Sequence, residues 1–282
     1  MNIRRLGFLA ASILCASFIS AQDTHADKTG ILLVHYGTQN DNSRAATIDK
    51  LNKRVAEQYA DCAVLEAYAA PSVIRMLDKR GIHKLSIPQA LDSLKALGCD
   101  RLAVQSTMLL DGVMTDMLRR EVEAKKGMFN TLSVARPLLY NADDCRRMAM
   151  MIRKNLEAGN WLKSNPQVVL VGHGSDSPAN AMYCQLDYVL QDEGFQNWHV
   201  GTIEGYPTIE NVERQLKKQK NKNVVLVPLL YIAGNHQRED IDGKWKEQLE
   251  KDGYKVSVVD KGLGEMEEIQ SMIIDGIERM KN

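Results

Sequence analysis

The sequence predicts an α/β fold of two duplicated halves, each a parallel sheet covered by helices, with a cleft between them. Three observations predict it. From Gly30 onward, short β-branched runs alternate with helical patterns, as in strand–helix–strand units. The run Gly30-Ile-Leu-Leu-Val-His-Tyr-Gly-Thr38 is echoed by Val168-Val-Leu-Val-Gly-His-Gly-Ser175, each a strand entering a glycine turn. The 282 residues are 44% hydrophobic and 26% charged, the composition of an ordinary globular protein.

Residues 1–21 read as a leader outside that fold. Arg4 and Arg5 precede an apolar run from Leu6 to Ile19, followed by Ser20, Ala21 and Gln22, the layout of a secretory signal peptide. The run is shorter than the about 20 residues a bilayer span needs, so an exported, periplasmic chain with no stable membrane span is expected. Lipid anchoring at Cys15 stays open, although Ser12, Ile13 and Leu14 fit it poorly.

Strands are expected at Ile31 to Val34, Ala63 to Ala67, Arg101 to Gln105 and Thr131 to Ala135 in a first half spanning residues 28–150. A second half, residues 151–282, carries Val168 to Val171, His199 to Ile203, Asn223 to Val227 and Lys255 to Val259. Between them, Ile48, Leu51 and Val55 recur at helical spacing within Ser43 to Tyr59, and Pro88 opens a helix to Leu97 at a permitted first-turn position. The join falls between Tyr140 and Gln167. A final helix, Glu265 to Lys281, places Ile269, Met272, Ile273, Ile277 and Met280 on one face that must be buried somewhere. Glu66-Ala-Tyr68 also matches Glu204-Gly-Tyr206, each at the end of the second strand of its half.

Lys plus Arg and Asp plus Glu both number 36, so no basic field exists to hold a phosphate backbone and no nucleic-acid partner is expected. Cys62, Cys99, Cys145 and Cys184 show no C-x-x-C spacing, which excludes a zinc ribbon or thioredoxin motif. They read as free thiols among apolar neighbours as readily as disulfide partners.

The chemistry concentrates in the second half. Ligands of open parallel sheets bind beyond the carboxyl ends of the strands, and His35, His173 and His236 all stand where strands end. His173 lies between Gly172 and Gly174, Glu204 ends the next strand, and His236 follows the third. Two imidazoles and one carboxylate on a single edge suit a first-row divalent metal with coordination positions left open. The bland alternative is that Glu204 caps its strand or meets Lys244.

Those residues carry a family resemblance. Val171-Gly-His-Gly174, Ala181-Met-Tyr-Cys-Gln-Leu-Asp187, Ile203-Glu-Gly-Tyr-Pro207, Val227-Pro-Leu-Leu230, Ala233-Gly-Asn-His236 and Gly262-Leu-Gly-Glu265 resemble the anaerobic class II sirohydrochlorin cobaltochelatases of cobalamin synthesis. Tyr36-Gly-Thr38, Ile74-Arg75, Pro88-Gln-Ala-Leu91, Gln105-Ser106 and Pro137-Leu-Leu139 extend it through the first half. The resemblance implies two Rossmann-like, chelatase-like halves and a lyase that inserts a divalent metal into a tetrapyrrole in the cleft. It implies His173, Glu204 and His236 as metal ligands, His173 and His236 as catalytic groups, and Tyr36, Thr38, Gln105 and Ser106 as lining for the macrocycle. Co2+ follows from the pathway analogy; imidazole and carboxylate would equally take Ni2+, Fe2+ or Zn2+. A homo-oligomer is left open.

Two departures accompany the resemblance. Where the family presents a histidine and an acidic residue after the third strand, this chain has Met108 and Met114, with Asp111 and Asp116 close by. Its leader also directs it out of the compartment where cobalamin precursors are made. An alternative is therefore an exported haem or metallo-tetrapyrrole binding protein of iron acquisition, with Met108, Met114 or a histidine as axial ligand, Met117 nearby, and Tyr36 and Tyr68 for stacking. A two-lobed solute-binding protein would share the leader and the lobes without needing the His, Glu and His set.

Overall fold

The computed structural model of the protein describes residues 28–234 and 236–281. The expected leader, Cys15 and His25 lie outside the described residues. In the first half the order is β1 (Lys28–His35), α1 (Asp41–Arg44), a π-helical turn (Ala45–Asp49), α2 (Lys50–Gln58), β2 (Ala63–Tyr68), α3 (Pro71–Asp78), α4 (Ile87–Ala96), β3 (Cys99–Ser106), α5 (Val113–Lys125), β4 (Thr131–Val134) and α6 (Ala142–Ala158). The second half continues with β5 (Gln167–Gly172), α7 (Ala181–Asp192), β6 (Trp198–Thr202), α8 (Ile209–Leu216), β7 (Asn223–Leu229), a π-helical stretch (His236–Trp245), α9 (Lys246–Lys251), β8 (Lys255–Val258) and α10 (Glu267–Lys281).

All eight strands pair in parallel, in two sheets ordered β2-β1-β3-β4 and β6-β5-β7-β8. The matching order is the duplication expressed in topology. The apolar runs of β1 and β5 are buried along both faces, as central parallel strands must be when helices cover each side. On one face of the first sheet Leu32, Val34 and Val104 pack with α4 and α5. On the other, Ile31 and Leu33 join Leu51 and Val55 of α2.

The last helix of each half lies on the other half. The apolar stripe of α10 is buried, with Ile273 and Ile277 against β3 and the α2 side of the first sheet. Conversely, Met148, Ile152 and Leu156 of α6 pack with Leu186 and Leu190 of α7 beneath β5. One continuous core therefore runs through both halves. Cys62, Cys99, Cys145 and Cys184 are all free thiols.

Strand register corrects one of the sequence matches. His35 pairs with Tyr68 and Gly172 with Thr202, while Gly37 and Gly174 occupy the same turn with φ of +102° and +92°. The residue equivalent to Glu204 is thus Ala70, and the Ala70 and Glu204 amides donate to the Tyr36 and His173 carbonyls at 3.2 and 2.7 Å. Glu66 instead lies inside β2, where it accepts from Asn52 at 2.6 Å and pairs with Lys84. The first half thereby carries Tyr36 in place of His173 and Ala70 in place of Glu204.

Candidate active site

Two glycines shape the turn after β5. A Cβ on Gly172 would stand 2.2 Å from the Tyr183 ring, and one on Gly174 would stand 2.2 Å from the Glu204 carbonyl oxygen. Positive φ at Gly174 adds a second reason for the missing side chain. The close approach presses the β5 and β6 loops together and puts His173 Nε2 at 4.0 Å from Glu204 Oε2. His236, at the start of the π-helical stretch after β7, brings its ring centroid to 4.7 Å from that of His173 at an interplanar angle of 85°. The three residues expected to converge are neighbours.

Hydrogen bonding settles which nitrogen each imidazole offers. His173 Nδ1 lies 3.2 Å from the Gly174 carbonyl oxygen, which can only accept, so Nδ1 is the donor and in the neutral ring Nε2 keeps the lone pair. His236 Nδ1 lies 2.8 Å from Asp240 Oδ2, which again leaves Nε2 as the electron-pair donor. A carboxylate behind a histidine in this way fixes ring orientation and raises basicity at the opposite nitrogen. Lys244 donates to the other Asp240 oxygen at 2.7 Å. Burial works against charge on Asp240, but the bonds from Lys244 and His236 prevail and hold its carboxyl below the usual range. Asp240 therefore stays anionic beside the imidazole at neutral pH.

The set is open rather than clamped. Two donor atoms about 2.1 Å from one tetrahedral ion sit about 3.4 Å apart, whereas His173 and Glu204 stand at 4.0 Å. Among the described residues no three His, Cys, Asp or Glu side chains are already gathered at ligand distances. The side chains of His173, Glu204 and His236 are 45%, 64% and 47% exposed, so rotations of a few tenths of an ångström cost little. An ion that must be passed on is better served by such a site than by a closed cage.

The loops of the first half flank this edge. Gly112, before α5, lies beside Ser175 and Ser177, and Ser43 donates to the Ala233 carbonyl at 2.7 Å. Tyr36 is 51% exposed at the position matching His173, and Thr38 accepts from the Asn40 amide. Gln105 and Ser106 are buried at 2% and 1% exposure. Gln105 turns toward Gly276 of α10, and Ser106 is enclosed at the end of β3. Met108 is buried in the core of the first sheet, and Met114 and Met117 pack half-buried against the same cluster. Their sulfurs serve packing, which removes the support they lent to an axial haem ligand. Lys244 meets Asp240 rather than Glu204.

Sequence reasoning missed Asp240 and weighed Lys244 only as a partner of Glu204. Their signal was present, since His236, Asp240 and Lys244 recur at four-residue spacing and share one side of a helix. His35, in contrast, is fully buried between Thr107 at 3.2 Å and Asn52 at 3.0 Å. Desolvation lowers its pKa, with the Glu66 charge opposing, and a neutral ring confined to the interior is structural.

Two parallel sheets of identical order, with imidazole and carboxylate side chains gathered at one edge, define a two-lobed α/β protein with candidate metal donors. The family model described as "Cobalt chelatase (CbiK)" matches residues 29–282, and the chain belongs to that family. It is 28% identical over 260 residues to the sirohydrochlorin cobaltochelatase of Salmonella typhimurium, covering 90% of this chain and 97% of that one. It is 30% identical over 254 residues to "Sirohydrochlorin cobaltochelatase CbiKC" of Nitratidesulfovibrio vulgaris, covering 88% and 89%. Among solved structures, SirB from Bacillus subtilis with Fe3+ shares the fold at a TM-score of 0.64 and 13% identity, over 90% of this chain and 95% of that one.

Proposed function

We propose that this chain is a tetrapyrrole chelatase that inserts a divalent metal, Co2+ by analogy with its relatives, into sirohydrochlorin for cobalamin synthesis. The observation that carries the reading is the pair of Nε2 lone pairs on His173 and His236 beside the Glu204 carboxylate. Metallation exchanges one divalent ion for two pyrrole protons. The ion must shed water, and two neutral imidazoles replace that water without adding charge. The departing protons need a base at the same edge, and Glu204 or an imidazole vacated by the ion supplies it. Asp240 stabilises the imidazolium that forms when His236 takes a proton.

The leader expected at residues 1–21 makes this an exported, periplasmic enzyme. No helix among the described residues is long and apolar enough to cross a membrane. The test is incubation of the purified protein with sirohydrochlorin and Co2+, following the visible spectrum of the macrocycle. Metallation by the native protein, abolished in His173→Ala with far-UV circular dichroism unchanged, is the expected result. Turnover that survives the substitution would remove His173 from the mechanism, and a stoichiometric haem complex without turnover would replace the enzyme with a carrier.

A further inference from the structure

The turns after β5 and β6 are joined by one side chain at the entrance to α7. Asn180 ends a single helical turn (Pro178–Asn180) that leads into that helix. Its Oδ1 accepts from the Ser175 amide at 3.0 Å, and its Nδ2 donates to the Tyr206 carbonyl at 2.7 Å. Ser175 lies two residues beyond His173, and Tyr206 two residues beyond Glu204. One amide group therefore spans the two turns at matching positions. Its orientation is fixed by its partners, since exchanging its ends would set donor against donor and acceptor against acceptor.

The surroundings are shaped to this bridge. An asparagine before a helix ordinarily accepts from the first-turn amides, but Asn180 makes no such bond to α7. Its own backbone is already helical, at φ −57° and ψ −27°, and its amide reaches across to Tyr206 instead. Gly205 makes the space: a Cβ there would stand 2.6 Å from Asn180 Oδ1 and 3.2 Å from Gly174 Cα. Direct pairing of the two chains runs from Ile203 to Gly172 at 2.9 Å and from Glu204 to His173 at 2.7 Å. Beyond Glu204 the attachment passes to Asn180. His173 and Glu204 are thereby held from both sides rather than left at the fraying end of a strand pair.

We propose that Asn180 is a positioning residue for the metal site, keeping His173 Nε2 and Glu204 Oε2 at their 4.0 Å spacing by tethering the turns beyond them. The assignment rests on the reading of His173, Glu204 and His236 as donors to the divalent ion. The Glu204 side chain is mostly exposed, so its place is set by the backbone that carries it. A carboxylate that wanders must be ordered by the ion at a cost in affinity, whereas one held beside its partner imidazole is preorganised. Asn180 acts through the main chain at Ser175 and Tyr206.

Asn180→Ala in the full chain removes both bonds at a half-buried position. Amide hydrogen exchange at Glu204 is expected to quicken about tenfold or more as its pairing to His173 frays. Titration with Co2+ is expected to show affinity lower by about tenfold or more. In a Glu204→Ala background, with no carboxylate left to hold, adding Asn180→Ala is expected to change affinity by less than about twofold. Asn221 is the control, because it also bridges two segments of the second half, accepting from the Asn223 amide at 2.9 Å and donating to the Asn165 carbonyl at 2.7 Å, but at the amino ends of the strands. Asn221→Ala is expected to match the native protein in both readouts. Should Asn180→Ala not fold, Asn180→Asp, which keeps the bond from Ser175 and loses the one to Tyr206, gives the exchange result. The assignment is overturned by unchanged exchange at Glu204, by unchanged Co2+ affinity in Asn180→Ala, by a fall in affinity that is equal with and without Glu204, or by Asn221→Ala reproducing either effect. Native protein that binds no Co2+, with exchange at Glu204 still raised in Asn180→Ala, would remove the metal reading and keep Asn180 as the tether of the two turns.

Discussion

Replacing Gly174 by alanine probes the contact that brings His173 and Glu204 together. The backbone there has φ of +92°, a region that costs an L-residue about 1–2 kcal/mol. The new Cβ would stand 2.2 Å from the Glu204 carbonyl oxygen and 2.4 Å from its carbon, so one loop must retreat by roughly 1 Å, an overpacking cost of about 1–3 kcal/mol. The retreat is resisted by the Glu204 amide, bonded at 2.7 Å to the His173 carbonyl. Together these give a loss of about 2–5 kcal/mol, or roughly 5–15 °C in Tm for a chain of this size. Differential scanning fluorimetry reads the shift. Gly234→Ala is the control, because nothing lies within 4 Å of a Cβ at that position on the same edge. A Gly174→Ala variant that melts within about 2 °C of the native protein, or a control that falls as far, would refute the packing account of this turn.

Other outcomes follow from the buried and half-buried groups. Asp240→Ala frees His236 to adopt either tautomer and is expected to weaken Co2+ binding about 10–100-fold, measured by metal titration, with Asp240→Asn losing less because its carbonyl still accepts from Nδ1. Equal affinity in all three proteins would deny Asp240 a part in orienting the ring. His199 is buried in β6, and desolvation, aided by the Lys218 charge, lowers its pKa to about 4 from the ordinary 6.5. The unfolded chain therefore takes up a proton before the folded one, so this residue costs nothing above pH 7 and destabilises the fold progressively as pH falls from about 6.5 to 4. At pH 5 the loss is about 2 kcal/mol. Urea denaturation at pH 7.5 and 5 is expected to show a smaller acid penalty in His199→Gln by about that amount; an identical penalty would mean the ring is already paired or hydrated when folded.

Most of the architecture was legible in the chain because central parallel strands are apolar on both faces and bounded by turn residues. All eight expected strands are present within two or three residues of their expected ends. The stripe on the last helix was equally plain, but not its destination: periodicity reports that a face is buried and is silent on which sheet covers it. The convergence of His173, Glu204 and His236 was readable from strand order, since equivalent strand ends share an edge. Glu66 misled because tripeptide likeness ignores register, and a shift of four residues along β2 moved the true counterpart of Glu204 to Ala70. Gln105 and Ser106 are both enclosed, since consecutive residues at a strand end point to opposite faces and both faces there are covered.

The crossing of α6 and α10 has an implication for how such a protein can be built. Each is the closing element of its own repeat, yet each shelters the neighbouring repeat. A polypeptide holding a single repeat would leave one side of its sheet bare, and two identical copies could mend this by trading their final helices, as in a domain-swapped pair. The present chain is the covalent form of that trade, with Tyr36 and Ala70 in one repeat where the other has His173 and Glu204.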